Sequence, residues 1–525
     1  MSQPVSKLSY LFFTRCCLLG LVCLLCLSAC QTRYRSPLAK EGYLDLSEWY
    51  PQTHGTVKLN GEWEFYWHQL ISPDEFDPSI TASGRDYLVL PHKWNNLELN
   101  GKKLSGEGYA TFRLSVRLPE SSQTLAIKAI DMATAYRLWV NDKLLLQNGV
   151  VGTSREEMEP QYLPMVGSFK PETREIQLVL QVSNFVHRKG GVWTYLELGT
   201  ERDIAYKRII QIAIEVFLFG SLLIMGLYHL SLYLIRPKDP SPLYFGCLSI
   251  TIGFRSILVG ERFLIFVFPD MHWEIFQKLE YLTFYVSIPL FLLFLGSLFP
   301  EVSKRVVKTA VIITSLFSLT TILFPIRIHS YGMPFMQIAV VPLFLYTIYA
   351  TIQATRNQRE GATWILAGTG FLFITVAYEM LAVNELVPLI YLSPAGFFFF
   401  IFAQSLMLSR RLANAFTAVE TMSEELSRLD KLKDEFLANT SHELRTPLNG
   451  INGLAESLID GAAGPLNQNQ VENLRLIASS GKRLSTLVND ILDFSKLKNR
   501  DLNLRKRPVD LYSVADIVIT LSRHI

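Results

Sequence analysis

Phe436-Leu-Ala-Asn-Thr-Ser-His-Glu-Leu-Arg-Thr-Pro-Leu-Asn-Gly-Ile451 sets a histidine beside a carboxylate on a helical stretch that then meets a proline. Just upstream, Leu412, Phe416, Val419, Met422, Leu426, Leu429, Leu432 and Phe436 recur at steps of four or three, close to the heptad seam of a coiled coil. Charged residues between them, among them Glu420, Glu424, Arg428 and Lys431, fit an outer face. This pattern predicts a parallel helical dimer over 412–435, against the plainer reading of a lone amphipathic helix. Downstream, Gly461 to Pro465 breaks the helix, and a second one over roughly 467–498 carries Leu474, Ile477, Leu484, Leu487, Ile491 and Phe494 on one stripe. Two helices per chain, doubled by dimerisation, make a four-helix bundle.

Working outward toward the N-terminus, the chain holds seven apolar segments, at about 209–235, 242–262, 279–299, 307–326, 334–355, 361–383 and 387–409. The second is interrupted near its end by Arg255, Glu261 and Arg262. Basic residues follow each odd-numbered segment: Arg236 and Lys238, then Lys304, Arg305 and Lys308, then Arg356 and Arg359, then Arg410 and Arg411. Short loops rich in Lys and Arg stay in the cytoplasm, so the segment before residue 209 is expected outside and the helices after 411 inside. Glu215, His229, Arg255 and Glu379 fall within spans, where interhelical hydrogen bonding or exposure near an interface is favoured over a functional role. A transporter would show repeated halves with broken helices, and no such repeat is visible.

Between Tyr43 and Gly199 the pattern turns to short alternating runs: Val57–Leu59, Glu62–Trp67, Tyr109–Val116, Tyr136–Val140 and Ile176–Val182. Such spacing predicts a β-sandwich, with hairpin turns at Asn60-Gly61 and Asn141-Asp142. Ahead of it, Lys7 and Arg15 precede an apolar run, Cys16 to Leu27, too short to span a bilayer and suited to a secretory signal. The run ends in Leu27-Ser28-Ala29-Cys30, which resembles a bacterial lipobox and implies lipidation of Cys30; the alternatives are a chance match in a cysteine-rich signal and an uncleaved signal anchor. Either one sends the following domain out of the cytoplasm.

Composition agrees with a membrane protein: 49% of residues are hydrophobic, 18% are charged, and mean hydropathy is +0.23. A net charge of +3 gives no case for nucleic acid. Five of six cysteines lie within the first 30 residues and the sixth, Cys247, lies in an apolar span, so neither a disulfide framework nor a cysteine metal site is available.

Two resemblances sharpen this reading. The phrases "LNGEWEFYW", "LPHKWN", "GYATFRLSV" and "AYRLWVNDKLL" resemble the jelly-roll extracellular domain of bacterial seven-transmembrane receptors with diverse intracellular signalling modules. That fold is similar to sugar-binding domains of glycoside hydrolases, which makes a carbohydrate one candidate ligand. Trp63, Trp67, Trp94, Trp139 and Trp193 could stack on a sugar, although aromatic residues on sandwich strands are more often core. No pair of carboxylates stands out as a glycosidase site.

The stretch around His442, followed by a Gly/Pro turn and "LVNDILDFSKL", resembles the dimerisation and phosphoacceptor domain of bacterial sensor histidine kinases. This resemblance implies that His442 accepts the γ-phosphoryl group of ATP. A neutral imidazole, with an ordinary pKa of ~6.5, offers a nucleophilic nitrogen at neutral pH. The resemblance further implies that Glu443 takes the proton from the other ring nitrogen, and that Thr446 orients water when the response regulator is dephosphorylated. Thr446 lies four residues on, nearly on the same helix face as His442. Pro447 has no amide to donate and is expected to loosen the helix beyond the site.

Leu502–Leu511 and Tyr512–Ile525 resemble the opening strand and first helix of a kinase ATP-binding domain. The asparagine-rich Mg helix and the glycine-rich boxes do not appear within the 525 residues. ATP and Mg are therefore expected on a domain outside this sequence, and the chain by itself is expected to be inactive. A fragment of a longer kinase and a receptor or phosphoacceptor subunit served by a separate kinase both remain open; an end within an apolar helix favours the fragment.

The expected organisation is a signal peptide with lipobox (1–30), a periplasmic jelly-roll sensor (40–200), a seven-transmembrane domain (205–411), a signalling coiled coil (412–435), a phosphoacceptor domain (436–500) and the start of an ATP-binding domain (501–525). The expected setting is the bacterial inner membrane, and the expected partners are a second copy of the chain and a response regulator.

Overall fold

A computed structural model describes residues 36–76, 86–99, 101–120, 123–130, 132–383, 392–498 and 508–522. Cys30 and the signal segment lie outside the described residues. The chain forms two compact units that meet in sequence at Leu408 and Ser409.

In the first unit, residues 39–200 build two principal β-sheets around one core. A seven-stranded sheet runs in the order Lys143–Asn148, Ala135–Val140, Glu175–Asn184, Gly108–Arg117, Gly61–Trp67, Asp86–Leu90, with Tyr43–Asp45 added parallel to Gly108–Arg117. A four-stranded sheet runs Met165–Phe169, Leu125–Ala129, Glu197–Thr200, Val57–Lys58. Alternation supplies the core: Trp63, Phe112, Leu138 and Leu178 from the larger sheet pack in one cluster with Val57, Leu125, Ile127 and Leu198 from the smaller.

The strands expected from alternation are present, and the turns divide. Asn141-Asp142 is a two-residue hairpin loop, with Val140 opposite Lys143 and Asn141 at φ +53°. Asn60-Gly61 is not a hairpin. Val57–Lys58 pairs in the smaller sheet and Gly61–Trp67 in the larger, so this step crosses between sheets. Gly61, at φ +120°, lies so close to the Ala39 backbone that a Cβ would fall 2.3 Å from its nitrogen. The glycine marks a close backbone approach, which local sequence does not distinguish from a turn.

The strand Glu197–Thr200 leads without a linker into the first long helix, α1 (Glu201–Ile235), whose N-cap Thr200 accepts the Asp203 amide through Oγ1 at 3.0 Å. There follow α2 (Ser241–Leu258), α3 (Trp273–Leu298), α4 (Lys304–Leu323), α5 (Gly332–Arg356), α6 (Ala362–Val383) and α7 (Ser393–Ile459). Among the described residues six helices, α1 to α6, are long and apolar enough to cross a membrane. The seventh expected span, 387–409, lies partly outside the described residues; from Ser393 it forms the start of α7. Many large apolar side chains face outward, including Ile209, Phe217, Ile224, Leu316, Ile338 and Tyr349. A lipid surface, not a second protein layer, suits such a belt.

Helix α2 ends at Leu258, earlier than hydropathy suggests. Gly260 at φ +74° and Arg262 at φ +56° turn the chain there, and Glu261 and Arg262 fall in the connection. Helices α1 and α2 pack closely through small residues: a Cβ on Gly226 would meet the Gly246 carbonyl at 2.9 Å, and the reverse also holds at 2.9 Å.

The connections fall at two ends. The β domain touches the start of α1 and the α2–α3 and α4–α5 connections, through Arg208, Glu261 and Arg327. At the other end Glu301, after α3, binds Arg359, after α5, at 2.8 Å. Alternating connections of this kind define an up-and-down bundle.

In the second unit, α7 ends at Ile459 and α8 spans Gln468–Lys498, separated by Gly461 at φ +89° and Gly464 at φ +102°. Asn467 and Gln470 cap the start of α8 reciprocally, each side-chain oxygen accepting the other's amide, at 2.9 and 3.0 Å. A short helix α9 spans Leu511–Ser522.

Candidate functional site

His442 lies on α7, exposed to solvent, with Glu443 exposed beside it. One turn on, the Thr446 hydroxyl donates to the His442 carbonyl at 3.3 Å, which places it beside the histidine on the helix face. Pro447 lies inside the continuous helix, so the Glu443 carbonyl lacks its usual amide partner one turn later.

The helix face about a quarter turn from the histidine is fixed to α8. Ser441 and Leu448 are buried while His442 is not. Arg445 donates to Asn489 Oδ1 at 2.8 Å, and a Cβ on Gly481 would fall 2.1 Å from Asn452 Oδ1. The pairs 445 with 489 and 452 with 481 run in opposite directions along the two helices, so the hairpin is antiparallel. An imidazole is thus held out from the hairpin, a carboxylate is adjacent to it, and it is exposed to solvent among the described residues. The seam residues Leu412, Phe416, Val419, Met422, Leu426, Leu429 and Leu432 are likewise exposed within the chain.

Other sequence candidates sort by burial. Trp63 and Trp94 are fully buried, with their indole nitrogens donating to the Leu59 and Gly106 carbonyls at 3.1 Å each. They are core and offer no face to a ligand. Trp193 packs against His187 and Tyr162, while Trp67 packs edge-on to Trp94. Within the bundle, His229 bonds the Met225 carbonyl at 2.9 Å and Arg255 donates to the Glu280 carbonyl at 2.9 Å. Glu215 Oε1 accepts the Glu261 amide at 2.9 Å. Of these only the Arg255 bond joins two helices; the His229 bond stays within α1 and the Glu215 bond ties α1 to the α2–α3 connection. Glu379 lies in α6.

Sequence reasoning missed the polar junction between the β domain and the bundle. The buried Glu261 carboxylate pairs with Lys128 from the β domain and, at 3.3 Å, with Arg208 at the start of α1. The Arg262 guanidinium lies 4.2 Å over the Tyr162 ring. Nearby, His187 approaches the Tyr281 hydroxyl at 3.4 Å, and the Tyr281 ring stands edge-on to His329 at 5.0 Å. Burial pushes the His187 imidazole down to about 3, with Arg188 adding to the effect. Burial, helped by Lys278 and opposed by Glu274, pushes His329 down to about 4. The only local signal was the pair of charges Glu261 and Arg262 closing an apolar run; their partners lie far off in sequence.

A histidine thus stands exposed on an antiparallel two-helix hairpin that follows a bundle of apolar helices. Known families agree: residues 211–411 match "7TM diverse intracellular signalling" and residues 432–500 match "His Kinase A (phospho-acceptor) domain". These two matches support a sensor histidine kinase with a seven-transmembrane sensor region.

Curated relatives include the Non-motile and phage-resistance protein of Caulobacter vibrioides, 39% identical over 129 residues, covering 22% of this chain and 15% of the relative. Signal transduction histidine-protein kinase BarA of Escherichia coli is 44% identical over 94 residues, 18% of this chain and 10% of its own. Autoinducer 2 sensor kinase/phosphatase LuxQ of Vibrio parahaemolyticus is 41% identical over 97 residues, 18% and 11% of the two chains. The chain thus spans a small part of the length of these relatives. Among solved structures, a beta-glucuronidase from an uncultured Clostridium sp. covers 27% of this chain and 28% of its own at 13% identity, with a TM-score of 0.22, too low to bear on fold or function.

Proposed function

We propose that the chain is the sensing and phosphate-accepting part of a two-component sensor kinase, with His442 as the phosphorylated residue. The observation that carries this reading is the solvent-exposed His442, beside Glu443, on the helical hairpin matched as a phosphoacceptor domain. A ring nitrogen of neutral His442 attacks the γ-phosphorus of ATP; the N–P bond forms as the bond to the ADP oxygen breaks. The proton on the other ring nitrogen passes to the Glu443 carboxylate. The phosphoryl group then moves to an aspartate of a response regulator, and Thr446 orients the water that hydrolyses that aspartyl phosphate, releasing inorganic phosphate, in the separate phosphatase reaction.

ATP and Mg belong to a catalytic domain outside residues 1–525, acting in the same polypeptide or from another. Because phosphoryl transfer needs positioning and charge neutralisation more than covalent help, the exposed imidazole needs only to be reached by that domain. Two chains pair along the 412–435 seam, which covers its exposed leucines.

We place the protein in a bacterial inner membrane with seven spans, α1 to α6 and the start of α7. The basic ends Arg236, Lys304, Arg356 and Arg410 lie inside, and the β domain, read as a jelly roll, lies in the periplasm. Lipidation of Cys30 would add a second anchor.

The test is to mix the cytoplasmic segment with a complete kinase of compatible hairpin and radiolabelled ATP. Wild type takes up label and His442→Ala does not. Label surviving in the variant would overturn the assignment.

A further inference from the structure

At the junction of the β domain and the bundle lies an open cleft of about 800 Å3. Glu107, Arg155 and Val186 line it from the β domain; Trp273 and Glu274 line it from the start of α3, and Ile326 and Arg327 from the α4–α5 connection. Two separate segments of the bundle side and the β domain therefore converge on one space of the size that holds a small organic molecule.

Its charges are unequal. Both guanidiniums turn to one carboxylate: Arg327 Nε reaches Glu107 Oε1 at 2.6 Å and an Arg155 terminal nitrogen stands 3.6 Å from Oε2. The second carboxylate, Glu274, is already matched by Lys278 at 3.1 Å. One positive charge is left over, and each guanidinium keeps unused N–H donors, since each has five. His272 adds a donor: its Nδ1 accepts the Glu274 amide at 3.2 Å, which in a neutral ring leaves the proton on Nε2. Beside these groups lie the apolar faces of Val186, Trp273 and Ile326.

We infer that this cleft is a ligand site for a small organic carboxylate with an apolar body, its carboxylate taken by Arg155 and Arg327 and its body by Val186, Trp273 and Ile326. A cationic ligand finds both carboxylates occupied, and a neutral one leaves the guanidinium donors unused. A bidentate carboxylate fits the planar guanidinium fork. Such a ligand competes with Glu107 for the two arginines, and so acts on the ion pairs that tie the β domain to the α4–α5 connection. This inference rests on the reading of the chain as a sensor and names the class of molecule it senses.

The experiment uses the full chain in lipid nanodiscs and isothermal titration with 3-phenylpropionate and octanoate, against the uncharged 3-phenyl-1-propanol. Saturable binding of at least one acid is expected, at least about tenfold tighter than the alcohol. The R155Q/R327Q double variant is expected to lose about tenfold or more. Glu107→Gln, which releases both guanidiniums, is expected to bind more tightly than wild type. Should the double variant melt before titration, R155Q alone is read, since its side chain is 44% exposed. No saturable binding of either acid up to ~10 mM, equal binding of the alcohol, or unchanged affinity in the arginine variants would overturn the inference. Labelling of His442 by an added kinase of compatible hairpin with ATP is measured on the same preparation, so failure of ligand binding and failure of the sensor-kinase reading are seen separately.

Discussion

At the scale of single residues, the proposed function divides the phosphoryl chemistry among three neighbours on one helix, and gives each its own signature. Glu443→Gln keeps the shape of the side chain and removes its basicity; labelling of His442 should slow by about 10- to 100-fold while remaining on the same residue. A rate equal to wild type in single-turnover labelling would remove Glu443 from the mechanism. Thr446→Ala should leave labelling intact and slow regulator dephosphorylation by about tenfold. All three residues were legible in the sequence, because the motif is contiguous and its helix is set by local periodicity. Lys128, Arg155 and Arg327 were not. Their partners, Glu261 and Glu107, lie 133, 48 and 220 residues away along the chain and become neighbours only through packing.

At the scale of elements, the junction of β domain and bundle is where stability should respond to mutation and pH. Glu261 is the shared partner of Lys128 and Arg208, with no exposed side-chain surface. Glu261→Gln leaves a buried ammonium without its counter-charge, and should cost about 3–5 kcal/mol in a denaturation assay. The neighbouring glycine is equally constrained: at φ +74°, Gly260 would place a Cβ 2.2 Å from Glu215 Oε1, so Gly260→Ala should also destabilise the junction.

The histidines make the same junction acid-sensitive. Folded-state pKa values of about 3 for His187 and about 4 for His329 lie below the unfolded value of ~6.5. Folding therefore favours the neutral rings: their contribution is complete above pH ~6.5 and is lost as pH falls from there toward the folded values. Melting temperature should drop over that window, and the drop should shrink in a His187→Gln, His329→Gln double variant; an unchanged pH profile would contradict this. Helix ends show how sequence and packing share the work at this scale. The Gly461 to Pro465 break was plain from composition, whereas the end of α2 at Leu258 came from Gly260 and the recruitment of Glu261 by Lys128. Likewise Asn60-Gly61 has turn chemistry but serves a crossing between sheets, because the Ala39 backbone packs against Gly61.

At the scale of the whole molecule, the account joins a sensing domain to a phosphate acceptor through a membrane bundle. The class of two parts was readable from period, alternation for the β domain and long apolar runs for the bundle, and the segment before the histidine is helical as its period required. Period does not specify which loops meet the β domain; the ion pairs across the junction do. The proposed orientation predicts that a cysteine placed at Lys238 reacts with a permeant thiol reagent but not an impermeant one added to intact cells, while one at Arg155 reacts with both. The opposite pattern would reverse the topology.

The most direct test of the central claim is to locate the phosphoryl group. After incubation with ATP and a compatible catalytic domain, trypsin should release the peptide Asp434–Arg445, which contains Thr440, Ser441 and His442. The account predicts that label resides on this peptide, survives alkali and is lost in acid, as a phosphohistidine requires. Acid-stable label on Thr440 or Ser441, or label on any other peptide, would contradict it.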